Sequence, residues 1–178
     1  MKVVCIAGRS GAGKTTLIEQ LIPALKALGL RVSVVKHAHH GFDIDHRGKD
    51  TWRHREAGAF EVVAASNQRL ALMREFEQTT DLSVHQLIAE LYDGVDWVLV
   101  EGFKYSQLPR LEVVRPNAPG PALYPLDPFV VAVLADDVAH LPEPTQRPVL
   151  PLGAATAVAR WLVQNGGRFD YDPDMFTD

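Results

Sequence analysis

The nine residues Gly8 to Thr16, GRSGAGKTT, constrain this chain more than any other stretch. They follow the apolar run VVCIA and precede a segment in which Leu17, Ile18, Leu21, Ile22, Leu25 and Leu28 recur at three- and four-residue spacing. The run, rich in β-branched residues, reads as a strand buried on both faces, and the spacing reads as a helix with one apolar stripe. Between them, Gly8-Arg9-Ser10-Gly11-Ala12-Gly13-Lys14-Thr15 satisfies G-x-x-x-x-G-K-[ST] at every position. Glycines there let successive backbone N–H groups turn inward, and the N-terminus of the following helix adds its dipole, so the loop makes a phosphate cradle. This is the P-loop, or Walker A, pattern. Gly8, Ser10, Gly11, Ala12, Gly13, Lys14, Thr15 and Thr16 are the expected phosphate contacts. Lys14 reaches the β- and γ-phosphates, and the Thr15 hydroxyl ligates Mg²⁺.

The rest of the chain repeats the strand and helix rhythm. Strands are expected at Lys2–Ala7, Arg31–His37, Asp96–Phe103, Arg110–Arg115 and Phe129–Asp137, with helices at Lys14–Leu28, Asp81–Tyr92 and Gly153–Gly166. Pro23 removes one hydrogen bond inside the first helix, and Gly29 caps its end. Phe60–Ser66 and Arg69–Glu75, separated by Asn-Gln, suit a hairpin. Five prolines between Pro116 and Pro128 exclude regular structure there. The expected fold is α/β, a three-layer P-loop NTPase sandwich whose mostly parallel sheet carries antiparallel additions. One nucleotide-binding domain spans residues 1–166, with a polar inserted segment at 38–58 and an acidic, surface-bound or frayed tail at 167–178.

Composition removes several classes of function. At 178 residues, with 47% hydrophobic and 22% charged, the chain can bury a core and is not mainly disordered. Its formal charge of -4 gives no general attraction to nucleic acid or to an anionic membrane. No apolar stretch approaches the roughly 20 residues that span a bilayer, so the cytoplasm is the expected location. The single cysteine, Cys5, lies in the first strand and is expected to pack as a small hydrophobe.

A P-loop enzyme also needs an acid near Mg²⁺, usually at the end of a neighbouring strand. Glu101, which closes WVLVE before Gly102, fits that place and is assigned with Thr15 to the metal. Of the seven histidines, His37, His39, His40, His46 and His54 crowd one segment together with Asp43, Asp45 and Asp50. Neutral imidazole suits a transition metal, but no cysteine joins the cluster and no zinc spacing appears. The preferred reading is that His37 and His39 face the nucleotide or a second substrate. Asp45, Lys49 and Asp50 then orient substrate or water, and Arg53 and Arg55 offer positive charge to phosphates. Asp136, in the Ala-Asp-Asp that ends a late strand, stands where many GTP-binding proteins keep an aspartate for guanine. No N-K-x-D motif accompanies it, and composition does not separate GTP from ATP.

GRSGAGKTTLIEQLIPAL, VVKHAHHGFDIDHRGKDTWRHREAGA and VLVEGFK, in this order and spacing, resemble the molybdopterin-guanine dinucleotide biosynthesis protein B family over roughly residues 1–166. One departure is Arg47, where the family usually has proline before Gly-Lys-Asp. The resemblance implies a dimeric GTP-binding protein with weak Mg²⁺-dependent GTPase activity. Such a protein assists the guanylyltransferase that joins GMP to molybdopterin, with molybdopterin itself as a possible second ligand. It assigns phosphate and Mg²⁺ to Gly11, Gly13, Lys14, Thr15 and Thr16, matches Glu101 to the acidic strand end, and places His39 to Asp50 at the site or the dimer interface. The competing readings are a P-loop kinase of small metabolites and a metal-delivery GTPase. The kinase lacks a compact arginine-rich lid segment in the sequence, although Arg53 and Arg55 could substitute, and the metal-delivery reading rests on the histidines alone.

Overall fold

The computed structural model describes residues 1–178 except 39, 40, 117, 119, 177 and 178. The chain divides into two compact units, one of residues 1–37 and 83–178, the other of residues 38–82.

The first unit is built on a six-stranded sheet. Its strands are β1 (Lys2–Gly8), β2 (Val32–Lys36), β5 (Trp97–Glu101), β6 (Arg110–Val113), β7 (Val130–Ala135) and β8 (Val149–Pro151), in the spatial order β2-β5-β1-β6-β7-β8. Every pairing in it is parallel. β1 is a central strand whose side chains alternate between two faces, each covered by helices, so Val3 to Ile6 are all buried. Val4, Ile6, Leu99, Leu111 and Leu134 pack under α1 (Lys14–Lys26) and α4 (Ala155–Gln164). Val3, Cys5, Val98 and Val100 pack under α3 (Val84–Ala89) on the opposite face. Truncating a core residue such as Leu99, which is fully buried, to alanine costs about 2–5 kcal/mol.

The chain leaves β1 through α1 toward β2 on one side, whereas β6 returns beside β1 on the other. This reversal puts the loop after β1 at the switch point of the sheet, outside the carboxyl ends of the strands, where open α/β sheets bind ligands.

Local chemistry accounts for the element ends. Ser83 caps α3 reciprocally: its hydroxyl accepts from Gln86 N at 3.2 Å, and the Gln86 side chain accepts from Ser83 N at 2.8 Å. Pro23 lies within α1, which ends at Lys26, ahead of a turn through Ala27 to Gly29. β8 has no counterpart among the strands expected from the sequence, because Pro148 precedes and Pro151 ends a three-residue strand that, among the described residues, pairs with β7 alone. The C-terminal stretch begins in the core: Phe169 is buried against Trp97 and Trp161, and Asp170 pairs with Lys2 at 2.5 Å.

The second unit holds α2 (Asp50–Glu56) and an antiparallel ribbon of β3 (Glu61–Ala65) and β4 (Leu70–Arg74), paired with Val63 opposite Leu72. The expected hairpin is therefore present, and it supplies an antiparallel pair in addition to the parallel six-stranded sheet. α2 falls in the stretch read as a polar insert. It has no buried residue, so it shows no apolar periodicity. Arg55 ties this unit together, reaching Asp43, Asp45 and Glu75 at 3.2, 3.2 and 2.5 Å. Among the described residues, no helix is long and apolar enough to cross a membrane.

Candidate functional site

The loop from Gly8 to Thr15 is shaped by two facts of backbone geometry. At Gly8, with φ +133°, a Cβ would lie 2.5 Å from the carbonyl oxygen of Val113 on the adjacent strand, so only glycine fits. At the other end Gly13 precedes α1 in a left-handed conformation, and the helix start has neither a side-chain cap nor an acidic residue in its first turn. Its first N–H groups thus face the loop, and the N-cap residue offers them no side-chain hydrogen bond. Ala12 is fully buried under the loop, whereas Ser10, Gly11, Thr15 and Thr16 are exposed along its outer side.

Lys14 folds back over the loop, donating from Nζ to the Gly8 and Arg9 carbonyls at 3.0 and 2.9 Å. The Thr15 hydroxyl donates to Glu101 Oε1 at 2.7 Å. The sheet accounts for this meeting, because β1 and β5 are paired with Ile6 opposite Glu101. Lys14, Thr15 and Glu101 therefore form one cluster at the end of β1. A hydroxyl and a carboxylate at that distance, beside inward-facing N–H groups, are the oxygen donors a Mg²⁺–phosphate pair uses.

His37 lies next to this cluster. Its backbone N–H donates to the Glu101 carbonyl at 3.0 Å, and its ring meets that of Phe103 at 4.8 Å. His39 and His40 lie outside the described residues. Asp136 stands at the end of β7, 4.0 Å from Arg115, on a cavity of about 460 Å³ lined by Val114, Pro116, Ala135, Asp137, His140 and Leu141. That volume is in the range of small-molecule sites. Arg115 connects this cavity to the P-loop, since its guanidinium lies 3.7 Å from where a Cβ on Gly13 would sit.

Asp45 and Asp50 belong to the second unit. Asp45 accepts from Thr51 Oγ1, from His46 N and from Arg55 Nε, at 2.8, 2.9 and 3.2 Å. Desolvation works against its charged form, but the Thr51 and His46 bonds and the Arg55 charge outweigh it and hold the carboxyl below the usual aspartate range. A carboxylate so committed is a poor proton acceptor, and Arg55, shared among three acids, is equally committed. Asp50 begins α2 with its side chain exposed, 3.9 Å from Arg53. Among the described residues, no three His, Cys, Asp or Glu side chains converge as a metal site.

Three contributors escaped the sequence reading. Lys36, which ends β2, lies 3.5 Å from Glu101 Oε2. Arg9 projects away from the loop and donates through Nε to Pro121 O at 2.7 Å, pinning the proline-rich segment beside the P-loop. Glu112, buried in β6, accepts from Leu123 N and Tyr124 N at 2.7 and 2.6 Å. Burial pushes its carboxyl upward, and those two bonds oppose the rise. A charged residue inside the apolar run LEVV was the available signal, because a buried acid must have partners.

The family model for molybdopterin guanine dinucleotide synthesis protein B, MobB, matches residues 3–136. The molybdopterin-guanine dinucleotide biosynthesis adapter protein of Haemophilus influenzae is 44% identical over 130 residues, which is 72% of this chain and 71% of its own. The adapter protein of Escherichia coli is 37% identical over 172 residues, covering 93% and 95% of the two chains. The crystal structure of Bacillus subtilis MobB aligns with a TM-score of 0.68 at 23% identity, over 97% of this chain and all (100%) of that one. A MobB homolog from Bacillus stearothermophilus gives 0.65 at 24%, over 93% and 97%. At those identities the two structures speak for the fold, a P-loop α/β sandwich with a small antiparallel pair. The family-model match across the P-loop, Glu101 and Asp136, together with these relatives, shows that the chain belongs to the MobB family.

Proposed function

We propose that this protein is an adapter in molybdopterin guanine dinucleotide biosynthesis that binds GTP with Mg²⁺ at the loop after β1 and hydrolyses it slowly. The observation that carries the reading is the 2.7 Å contact between Thr15 and Glu101 beside Lys14. Gly8, Ser10, Gly11, Ala12, Gly13 and Thr16 supply the phosphate cradle, and Lys14 opposes the β- and γ-phosphate charge. Thr15 and Glu101 would hold Mg²⁺, which supplies charge neutralisation at the phosphates. Transfer of a phosphoryl group to water then depends mainly on positioning and electrostatics. His37 borders the cluster as a ligand-facing side chain. Asp45 serves by holding Thr51 and Arg55, which orders the segment leading to Asp50 and its neighbours.

The cavity carrying Asp136 favours GTP over ATP in this reading. Its walls are largely apolar, and an ionised carboxylate only accepts hydrogen bonds, which suits the N1–H and amino group of guanine and not the N1 lone pair of adenine. The partner is the guanylyltransferase of the pathway, with molybdopterin as a second ligand.

The protein acts as a homodimer, and the β3–β4 ribbon supports that part of the proposal. A lone two-stranded ribbon is marginal in water, and Val63, Leu70 and Leu72 on one face of it are 57%, 69% and 42% exposed. Covering such a face with its copy offers both molecules the same burial. Calorimetry with GTP, GDP and ATP, each with and without Mg²⁺, tests the function. Binding that prefers GTP, strengthens with Mg²⁺ and disappears in Lys14→Ala supports it. Rapid transfer from ATP to a small metabolite would replace it with a kinase.

A further inference from the structure

Glu101 has both carboxylate oxygens engaged. Oε1 accepts from Thr15, and Oε2 lies 3.5 Å from the Lys36 ammonium. The second contact follows from the sheet, because β2 and β5 are parallel neighbours with Lys36 and Glu101 opposed as the last pair of their ladder. Side chains at paired positions leave the sheet on the same face. The two partners differ in exposure: the Glu101 side chain is 13% exposed and that of Lys36 is 57% exposed. The acid is largely shielded from water, while most of the lysine side chain lies in solvent, where space is open for another rotamer.

The geometry points to Lys36 as an exchangeable counter-ion of Glu101. It neutralises the carboxylate that would hold Mg²⁺, and when displaced it would turn its ammonium to the terminal phosphate of the nucleotide. This inference rests on the nucleotide reading above and assigns that site a residue which makes metal and triphosphate binding depend on each other. Without nucleotide, a divalent cation must evict the ammonium from Glu101 and leave it without a partner. With a triphosphate bound, the ammonium gains a new anionic partner, so the eviction is offset. A diphosphate offers no γ-phosphate and offsets it less. By linkage, whatever the γ-phosphate adds to metal affinity, the metal adds to affinity for the triphosphate.

The test uses the full-length protein with Mn²⁺ as a spectroscopic probe for the Mg²⁺ position, and three variants: Lys36→Met, Lys36→Arg and Glu101→Gln. Removing the competing charge in Lys36→Met should tighten Mn²⁺ binding without nucleotide by about fivefold, the scale of one partly exposed charge pair. The same variant should weaken Mg²⁺-dependent GTP binding relative to GDP binding by a similar factor, and Lys36→Arg should restore the native GTP to GDP ratio. Glu101→Gln should abolish the gain in Mn²⁺ affinity when combined with Lys36→Met. Unchanged Mn²⁺ affinity in Lys36→Met, or equal loss of GTP and GDP, in a native protein that binds GTP normally would overturn the Lys36 assignment alone. Failure of the native protein to bind GTP at all would overturn the triphosphate half together with the function proposed above.

Discussion

Replacing Gly8 by alanine separates two costs that the P-loop glycines usually combine. The new Cβ would stand 2.5 Å from the Val113 carbonyl oxygen, at a backbone φ of +133°. The dihedral strain costs about 1–3 kcal/mol. The overlap is with backbone of β6, which can retreat only by loosening its pairing with β1, where Gly8 opposes Val113, and that adds about 1–3 kcal/mol. Gly11 is the internal control: its φ is +76°, but a Cβ there meets nothing within 4 Å. Gly11→Ala should therefore cost only the left-handed strain, about 1–2 kcal/mol. The expected totals are about 2–6 kcal/mol for Gly8→Ala and about 1–2 kcal/mol for Gly11→Ala. Urea unfolding followed by circular dichroism measures both. In thermal melts each kcal/mol should appear as a shift of about 2–4 °C for a chain of this size. Equal destabilisation by the two substitutions would refute the argument that close packing of β6 on the loop, and not dihedral freedom alone, requires glycine at position 8.

Four further outcomes follow. Lys14→Ala should lower triphosphate affinity by about a hundredfold or more, because a charge-assisted contact to phosphate is lost. Its stability should fall by no more than about 2 kcal/mol, since the two bonds it gives up are half-buried ones to loop carbonyls. Asp45→Asn should destabilise the protein at neutral pH, and the difference from native should shrink as pH falls below about 4. The folded carboxyl lies below its unfolded value, so its contribution is present above that value and disappears as pH drops through the folded one; melts from pH 7 to pH 3 measure it. Cys5, whose thiol burial pushes up to about 11, should resist alkylation at pH 8 in the native protein and react fully in denaturant, as mass spectrometry would show. Leu72→Lys should convert a dimer to a monomer in sedimentation experiments, and a native protein that is already monomeric would contradict the ribbon-face proposal.

The parallel sheet was legible because its strands are covered on both faces. VVCIA, WVLV and VVAVLA are continuous apolar runs, and the stripe in α1 has the helical period, so burial itself wrote the pattern. β8 and α2 were illegible for the opposite reason: one is three residues long, preceded and ended by proline, and the other buries nothing. The loop after β1 was readable as a tight glycine turn between a strand and a helix because its glycines answer to backbone geometry, as at Gly8 and Gly13. Glu101 could be found because an acid closing an apolar strand stands out. Lys36 could not, because a lysine ending a strand looks like any solvated residue, and its meaning depends on the β2–β5 register. Asp45 and Arg55 have the composition of reactive groups, yet the fold uses them on each other. That outcome depends on tertiary pairing between residues ten apart and on Glu75, which no local window contains.

The measurement that bears most directly on the central claim is the calorimetric titration of the native protein with GTP and ATP in the presence of Mg²⁺, repeated with Lys14→Ala and Asp136→Ala. The expected result is saturable GTP binding that is lost in Lys14→Ala and becomes indifferent to the base in Asp136→Ala. GTP binding of equal strength in native protein and Lys14→Ala would contradict the assignment of the loop after β1 as the phosphate site.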